Sequence, residues 1–460
     1  MRVFMKKFTR RDFLSSLAVC SMASIIPARI AYGKPLGQEQ LLSLDINEGG
    51  VDGNGSIVLV KKPLILHAGH YSNITFYPDA GYFGPGPIFM ARNGKVIHNN
   101  ITVSGFSGPG CKILSDSEIG NSFIALGKCN YSNNGDLRRT TLTSSANMRF
   151  SPSIFVADSS LFKPGDFIWI GDGKFKIREI KGSEILLVTG VPPNIISPMV
   201  FSGGYDKCTV GQFVTMNGDD KHGIRIGNGG YGWDIDLSQS KIESSHNSGA
   251  GFYHACKKFN GKQIIENITS IGNGYINIGM SYMREGVIKN CIARDSGNNG
   301  IDVFATSKKV DIHDNIVSGA GVDGIFIGGD GESARVYDNK ISNCRRVGIL
   351  INARLNPIKE VFVKGNMILN SGMNSLTLTG VESGAVNENN LNGSVKRPTI
   401  YLERRNGLAL SGILNISDNT ILNSSSGDIG TNYPGYSNTS EATVQIKSAR
   451  KLDVSGIKGY

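Results

Sequence analysis

Arg225, Tyr253, Asn277 and Asp302 stand one to a repeat along a chain of 460 residues, and together they make a kit for taking a proton from carbon. A cation or amide beside a uronate carboxylate neutralises it and acidifies the C5 proton, which a base, often Tyr, Lys, Arg or His, can then accept. If the repeats stack as parallel strands, the four side chains form one row with about 4.8 Å between neighbours. At that separation Arg225 is expected to favour the Tyr253 phenolate and lower its pKa. The row points to β-elimination at an acidic sugar. Tyr253, Asp302 and Arg225 are the candidate catalytic residues and Asn277 is a substrate contact.

A second row, two residues further along each strand, reads Gly227, Ala255, Gly279, Phe304, Gly328 and Asn352. Its small side chains leave a shallow groove, with Phe304 offering a ring face and Asn352 an amide to a polymer. A third row holds Lys257, Asp330 and Arg354. Asp330 and Arg354 either touch substrate or pair with each other at the surface, where an ion pair contributes little. Lys257, Tyr282 and Arg284 lie where strands give way to loops above the groove, and His222 is expected exposed at a strand entrance. These complete the sugar-binding set. His254 falls on an inward position and reads as a buried, hydrogen-bonded histidine. Hydrolysis by paired carboxyl groups fits less well, because the pair must lie about 5–9.5 Å apart. Asp302 and Asp330 would be roughly 14 Å apart on straight strands.

The elements that must position these residues are written as a repeat. Asn267, Asn290, Asn315, Asn339 and Asn366 follow one another at 23 to 27 residues, each amid short apolar-alternating runs and Gly-rich turns. A period in the twenties with two-residue alternation means strands stacked as a solenoid, and it excludes helical repeats. The fold expected is all-β, a right-handed parallel β-helix. Its coils occupy 34–149 and 196–432, a small β-barrel or hairpin module is inserted at 150–195, and 433–460 covers the open end. The stacked Asn, including Asn290, Asn315 and Asn339, are expected to form a structural amide ladder.

With those coils, the chain outside the insert resembles the pectate-lyase-like superfamily of right-handed β-helices, whose members include polysaccharide lyases, alginate-type epimerases and tailspike coils. The resemblance implies an enzyme acting on an acidic polysaccharide without choosing its reaction, and the basic and phenolic residues of the row favour a lyase. A glycoside hydrolase, a uronate C5-epimerase and a non-catalytic polysaccharide-binding coil are the other branches. Gly300-Ile301-Asp302 is similar to the Gly-Phe-Asp of the alginate-epimerase catalytic motif, but Val303-Phe304-Ala305 replaces its Pro-His-Glu. The Asn-Thr-Asp and Gly-His-Gly of polygalacturonases are absent. No metal or other cofactor is expected. Calcium stays open because many related lyases need it, although no acidic cluster has calcium spacing. The oligomeric state is also open, a homotrimer included.

Thr9-Arg10-Arg11-Asp12-Phe13-Leu14, the apolar stretch to Ile26 and the small residues Ala31-Tyr32-Gly33 resemble a twin-arginine export signal. The resemblance implies cleavage after residue 33, the twin-arginine translocase as a partner, and a periplasmic or secreted location in a bacterium. The formal charge of +10 falls to about +5 without that segment, 42 basic residues facing 37 acidic ones. That is too mild to argue a nucleic-acid partner. No later run is apolar for long enough to span a membrane. Six cysteines follow the leader with no metal-type pair, so zinc is not expected. Cys111 and Cys129 are candidates for a disulfide in an oxidising compartment.

Overall fold

The computed structural model describes most of residues 36–447. Outside the described residues lie 1–35 and 448–460, and internal segments that include 115–121, 189–206, 209–212, 217–221, 228–232, 256–261, 404–412, 423–428 and 432–442. The anticipated leader is therefore outside them, and of 433–460 only the strand Thr443–Lys447 is described. That strand pairs in parallel with Ile413–Ser417 and so continues the stack.

Each coil has three strands, and one coil shows why. Ile301–Phe304, Lys309–His313 and Ile316–Ser318 follow one another, separated by a loop and by a two-residue corner. Each lies parallel to its equivalent one coil on, Ile325–Gly328, Ser333–Tyr337 and Lys340–Ser342. Side chains alternate faces along a strand, so Ile301 and Val303 point inward and stack on Ile325 and Ile327, then on Ile349 and Ile351. All are buried in one continuous core. Burying each such side chain is worth about 1.5–3 kcal/mol, which the coil repeats along its length. The first strands of the coils form a front sheet of twelve, from Ile65–His67 to Ile429–Thr431. The fold is a right-handed parallel β-helix.

The corner between the second and third strands needs one left-handed residue, and the chain places Asn or Asp there. Asn267, Asn290, Asp314, Asp338 and Asp418 have φ between 52° and 57°, a region these side chains tolerate. The amide ladder is built by the residue after the corner. Asn315 donates to Asn339 Oδ1 at 2.9 Å, Asn339 to Asn366 at 2.9 Å, Asn366 to Asn389 at 3.0 Å and Asn389 to Asn419 at 2.9 Å. Asn290 was expected in this ladder but occupies the left-handed corner instead. The residue after it, Cys291, ends the ladder by donating its N–H to Asn315 Oδ1 at 3.0 Å.

The first coil is closed by the helix Gln38–Glu48, which buries Leu41 in the solenoid core. The Gln38 side chain accepts from Lys61 N–H at 2.9 Å and donates to Lys62 O at 3.2 Å. The insert is a six-stranded antiparallel sheet in the spatial order 153–155, 184–187, 173–181, 167–170, 213–216, 139–141. A bridge between Leu142 and Val156 closes that sheet into a barrel around its own core, which includes Ile154, Ile168, Ile177, Ile185 and Val214. Its strands reach beyond the anticipated 150–195 on both sides. Arg139, at its edge, donates to Gly272 O of the solenoid at 2.9 Å. Cys111 and Cys129 are free, buried thiols. Among the described residues no helix is long and apolar enough to cross a membrane.

Candidate functional site

The outward row of the front sheet runs Lys112, Arg225, Tyr253, Gly279, Asp302, Phe326, Leu350, Thr377 and Tyr401, each the register partner of the next. Arg225, Tyr253 and Asp302 thus share a face, as their spacing implied. Asn277 does not join them. The strand of its coil begins at Ile278, two residues later than the Ile276 that the Gly-Ile alignment suggested. Gly279 takes the place in the row, and Asn277 turns into the corner, fully buried. There it donates to Arg294 O at 2.8 Å and accepts from Asn273 Nδ2 at 2.7 Å. The same shift puts Ser281 rather than Gly279 between Ala255 and Phe304 in the second row.

The glycine has a consequence for Tyr253. A Cβ on Gly279 would lie 2.4 Å from Tyr253 Cδ2, so the phenol can lie across the neighbouring strand only because no side chain stands there. Its hydroxyl is 3.0 Å from Ser281 Oγ. On its other side His222 stacks on the ring, centroids 5.2 Å apart. His222 was expected exposed, but it is only 5% exposed and its Nδ1 accepts the Ala250 N–H at 3.1 Å. That contact leaves the imidazole proton on Nε2.

Burial pushes the Tyr253 phenol above its ordinary pKa, and the charge of Asp302 adds to the rise. The Ser281 hydrogen bond and Arg225 pull the other way without prevailing. Arg225 acts in the expected direction, but the net shift is upward, because the coulombic help of a half-buried guanidinium is smaller than the cost of ionising a phenol away from water. Tyr253 stands in this site as a protonated phenol. Arg225 itself donates from Nε to Gly227 O at 3.3 Å.

Asp302 is 8% exposed and accepts from Asn299 Nδ2 at 2.7 Å. Asn299 Oδ1 in turn accepts the Asp323 N–H at 3.1 Å. Asp323 is held by a two-pronged ion pair with Arg346, Nε to Oδ1 at 2.7 Å and Nη2 to Oδ2, and by the Val347 N–H at 3.2 Å. Asn299 and Arg346 were not singled out from the sequence, since both sit in turns before front-sheet strands and no local pattern marks them.

Tyr282 follows the Ile278–Ser281 strand with φ of 62°, a conformation rarely taken by a bulky residue and one that marks functional sites more often than chance. It directly follows Ser281, whose Oγ lies 3.0 Å from the Tyr253 hydroxyl. Arg284 is exposed at the start of the next strand, and Lys309 N–H donates to its carbonyl at 2.9 Å. Phe304 packs with Phe326, Val347 and Leu350 in an outward apolar cluster instead of standing alone as a platform. Asn352 is nearly buried between Gly328 and Thr379. Asp330 turns to Asn356, accepting from its N–H at 3.1 Å and its Nδ2 at 3.2 Å. Lys257 and Arg354 lie outside the described residues. His254 is inward and fully buried, but among the described residues neither ring nitrogen has the hydrogen-bond partner expected for it. Among the described residues, no three His, Cys, Asp or Glu side chains gather as metal ligands would.

Residues 194–341 match the family model described as right handed beta helix region. No curated protein matches the chain. Among solved structures, the chain is similar to the A-module of mannuronan C-5 epimerase AlgE4 from Azotobacter vinelandii, at 12% identity over 80% of this chain and 88% of that one, with a TM-score of 0.35. It is also similar to the periplasmic alginate epimerase AlgG, at 10% identity over 90% and 82%, TM-score 0.39. A third is the Dettilon tailspike protein, at 15% identity over 90% and 64%, TM-score 0.37. At such distances none of them assigns a chemistry to the residues above.

Proposed function

We propose that the protein is an exported polysaccharide lyase that cleaves a uronate-containing polymer by β-elimination on its front sheet. The observation that carries this reading is a phenol kept protonated by burial beside a carboxylate and a guanidinium in one outward row. Arg225 binds the uronate carboxylate and stabilises the charge that develops there. Asp302, oriented by Asn299, accepts the C5 proton. The C5–H electrons become the C4–C5 double bond as the C4–O bond breaks. Tyr253 donates its proton to the departing oxygen, and proton exchange with water restores both side chains. Residues 1–33 supply the export address, so the substrate is met in the periplasm or beyond it.

The test is absorbance at the ultraviolet edge, with reducing ends counted in parallel, over a panel of uronate and neutral polymers. Unsaturated ends appearing with each new reducing end support elimination. Reducing ends without that absorbance show hydrolysis. Inversion at C5 without cleavage shows an epimerase, and binding without turnover a polysaccharide-binding coil.

A further inference from the structure

Beyond Asp302 the outward row crosses the apolar cluster of Phe304, Phe326, Val347 and Leu350 and then becomes polar again. Thr377 is only 6% exposed, and its Oγ1 is buried with no hydrogen-bond partner among the described residues. It nevertheless points outward, because Leu376 and Leu378 on either side fill the core. Its register partner is Tyr401, and Glu403 follows two residues on, on the same face of the Ile400–Glu403 strand. The Glu403 carboxylate is oriented by Thr379, which is fully buried and donates from Oγ1 to Oε2 at 2.9 Å. A desolvated hydroxyl without a partner is costly, and native proteins retain few of them. This one lies on the outward side of the front sheet, between Leu350 and Tyr401.

We propose that Thr377, Tyr401 and Glu403 form a second sugar subsite on the front sheet, and that it takes an uncharged, hydroxyl-rich pyranose. An oriented carboxylate accepts hydrogen bonds from neighbouring hydroxyls of a neutral sugar, and it repels the carboxylate of a uronate. The Tyr401 ring supplies an apolar face and its hydroxyl a further contact. Thr377 gains the partner it lacks. At the other end of the row Arg225 favours the opposite charge. Tyr401 lies four strand spacings from Asp302, about 19 Å along the solenoid axis, which is beyond the reach of one sugar. The substrate is accordingly a heteropolysaccharide carrying uronate and neutral units some residues apart. The inference rests on reading the front sheet as a polysaccharide track, and not on elimination chemistry.

The test is titration calorimetry of the whole protein with neutral hexasaccharides (maltohexaose, cellohexaose and mannohexaose) and with hexagalacturonate and hexaguluronate. Thr377→Val, Glu403→Gln and Tyr253→Phe are compared with the parent, and thermal melting confirms that each is folded. A neutral hexasaccharide is expected to bind. Its affinity should fall about tenfold or more in Thr377→Val and in Glu403→Gln, as loss of a hydrogen bond to a charged or buried group implies, and should not change in Tyr253→Phe. No binding by any neutral hexasaccharide, or an affinity indifferent to Thr377 and Glu403, overturns the proposal. Neutral binding that survives with no turnover on any uronate polymer sinks the lyase reading and leaves the subsite standing.

Discussion

Asn299 Nδ2 donates to the Asp302 carboxylate at 2.7 Å while the Asp323 N–H holds the other end of the same amide at 3.1 Å. An amide pinned at both ends cannot rotate to present its oxygen, so a donor always faces Asp302. That donor favours the ionised carboxylate, the form a base must have. Asn299→Ala should lower kcat by about tenfold to a hundredfold, within the range for a base left poorly oriented. KM should be little changed. An unaltered kcat would reduce Asn299 to a turn residue.

Tyr253→Phe and Asp302→Asn should each cost about 10²–10⁴ in kcat, the usual worth of a general acid or base, with little change in affinity for the polymer. The Phe variant keeps the ring on His222 and over Gly279, so its melting temperature should stay near that of the parent. Turnover retained in both would remove the proposed chemistry altogether.

Gly279→Ala puts a methyl 2.4 Å from Tyr253 Cδ2. The ring must swing away and give up Ser281. We expect activity to fall as far as in Tyr253→Phe, together with an overpacking loss of about 1–3 kcal/mol, read by chemical denaturation. A variant that is destabilised yet fully active would show that the ring position is immaterial.

His254 has its pKa lowered from 6.5 to about 3 by burial. The unfolded chain therefore takes up the proton first as pH falls. The stability linked to this group is present above pH 6.5 and is lost progressively as pH falls toward 3. His254→Met copies the Met280 that follows it in the stack and removes two unpartnered nitrogens. It should be no less stable at pH 7. Its advantage should grow by about 1.4 kcal/mol per pH unit below 6.5, measured by denaturant titration at several pH values. His98 is lowered to about 3 for the same reason, so the parent keeps part of its acid sensitivity in this variant.

The ladder and the corner make a contrasting pair. Asn339→Ala deletes donors to Ile312 O, Tyr337 O and Asn366 Oδ1 and should cost about 2–4 kcal/mol, since buried partners are left unsatisfied. Asn290→Gly, at φ of 52°, should be close to neutral because glycine takes that conformation freely. Equal losses at both sites would contradict the assignment of Asn290 to the corner.

The period of the Asn-containing runs and the two-residue alternation made the solenoid and the shared face of Arg225, Tyr253 and Asp302 legible. The misplacement of Asn277 came from anchoring each strand on the nearest Gly-Ile pair, which the Tyr275-Ile276 turn imitates. A better ruler was present. Asn267 to Ile278, Asn290 to Ile301, Asp314 to Ile325 and Asp338 to Ile349 are each eleven residues, because the left-handed corner and the strand start are fixed by the same coil geometry. Asn315 and Asn339 concealed it by standing one residue past the corner. What no spacing could reveal is the outcome of opposed terms at Tyr253, where desolvation depends on packing between coils. The Asn299–Asp323–Arg346 chain was likewise hidden, since its members come from the turns of three successive coils that meet only in three dimensions.

The strands Cys111–Leu114 and Ile224–Ile226 pair in register as consecutive rungs, although the whole barrel lies between them in the chain. Gly110 N–H still reaches His222 O at 2.9 Å. To the solenoid, then, the barrel is a bracket opened and closed within a single line. An exchange of its contents for another module of similar end-to-end gap would leave the reading frame of the stack unbroken, which makes this corner a natural socket for grafted domains.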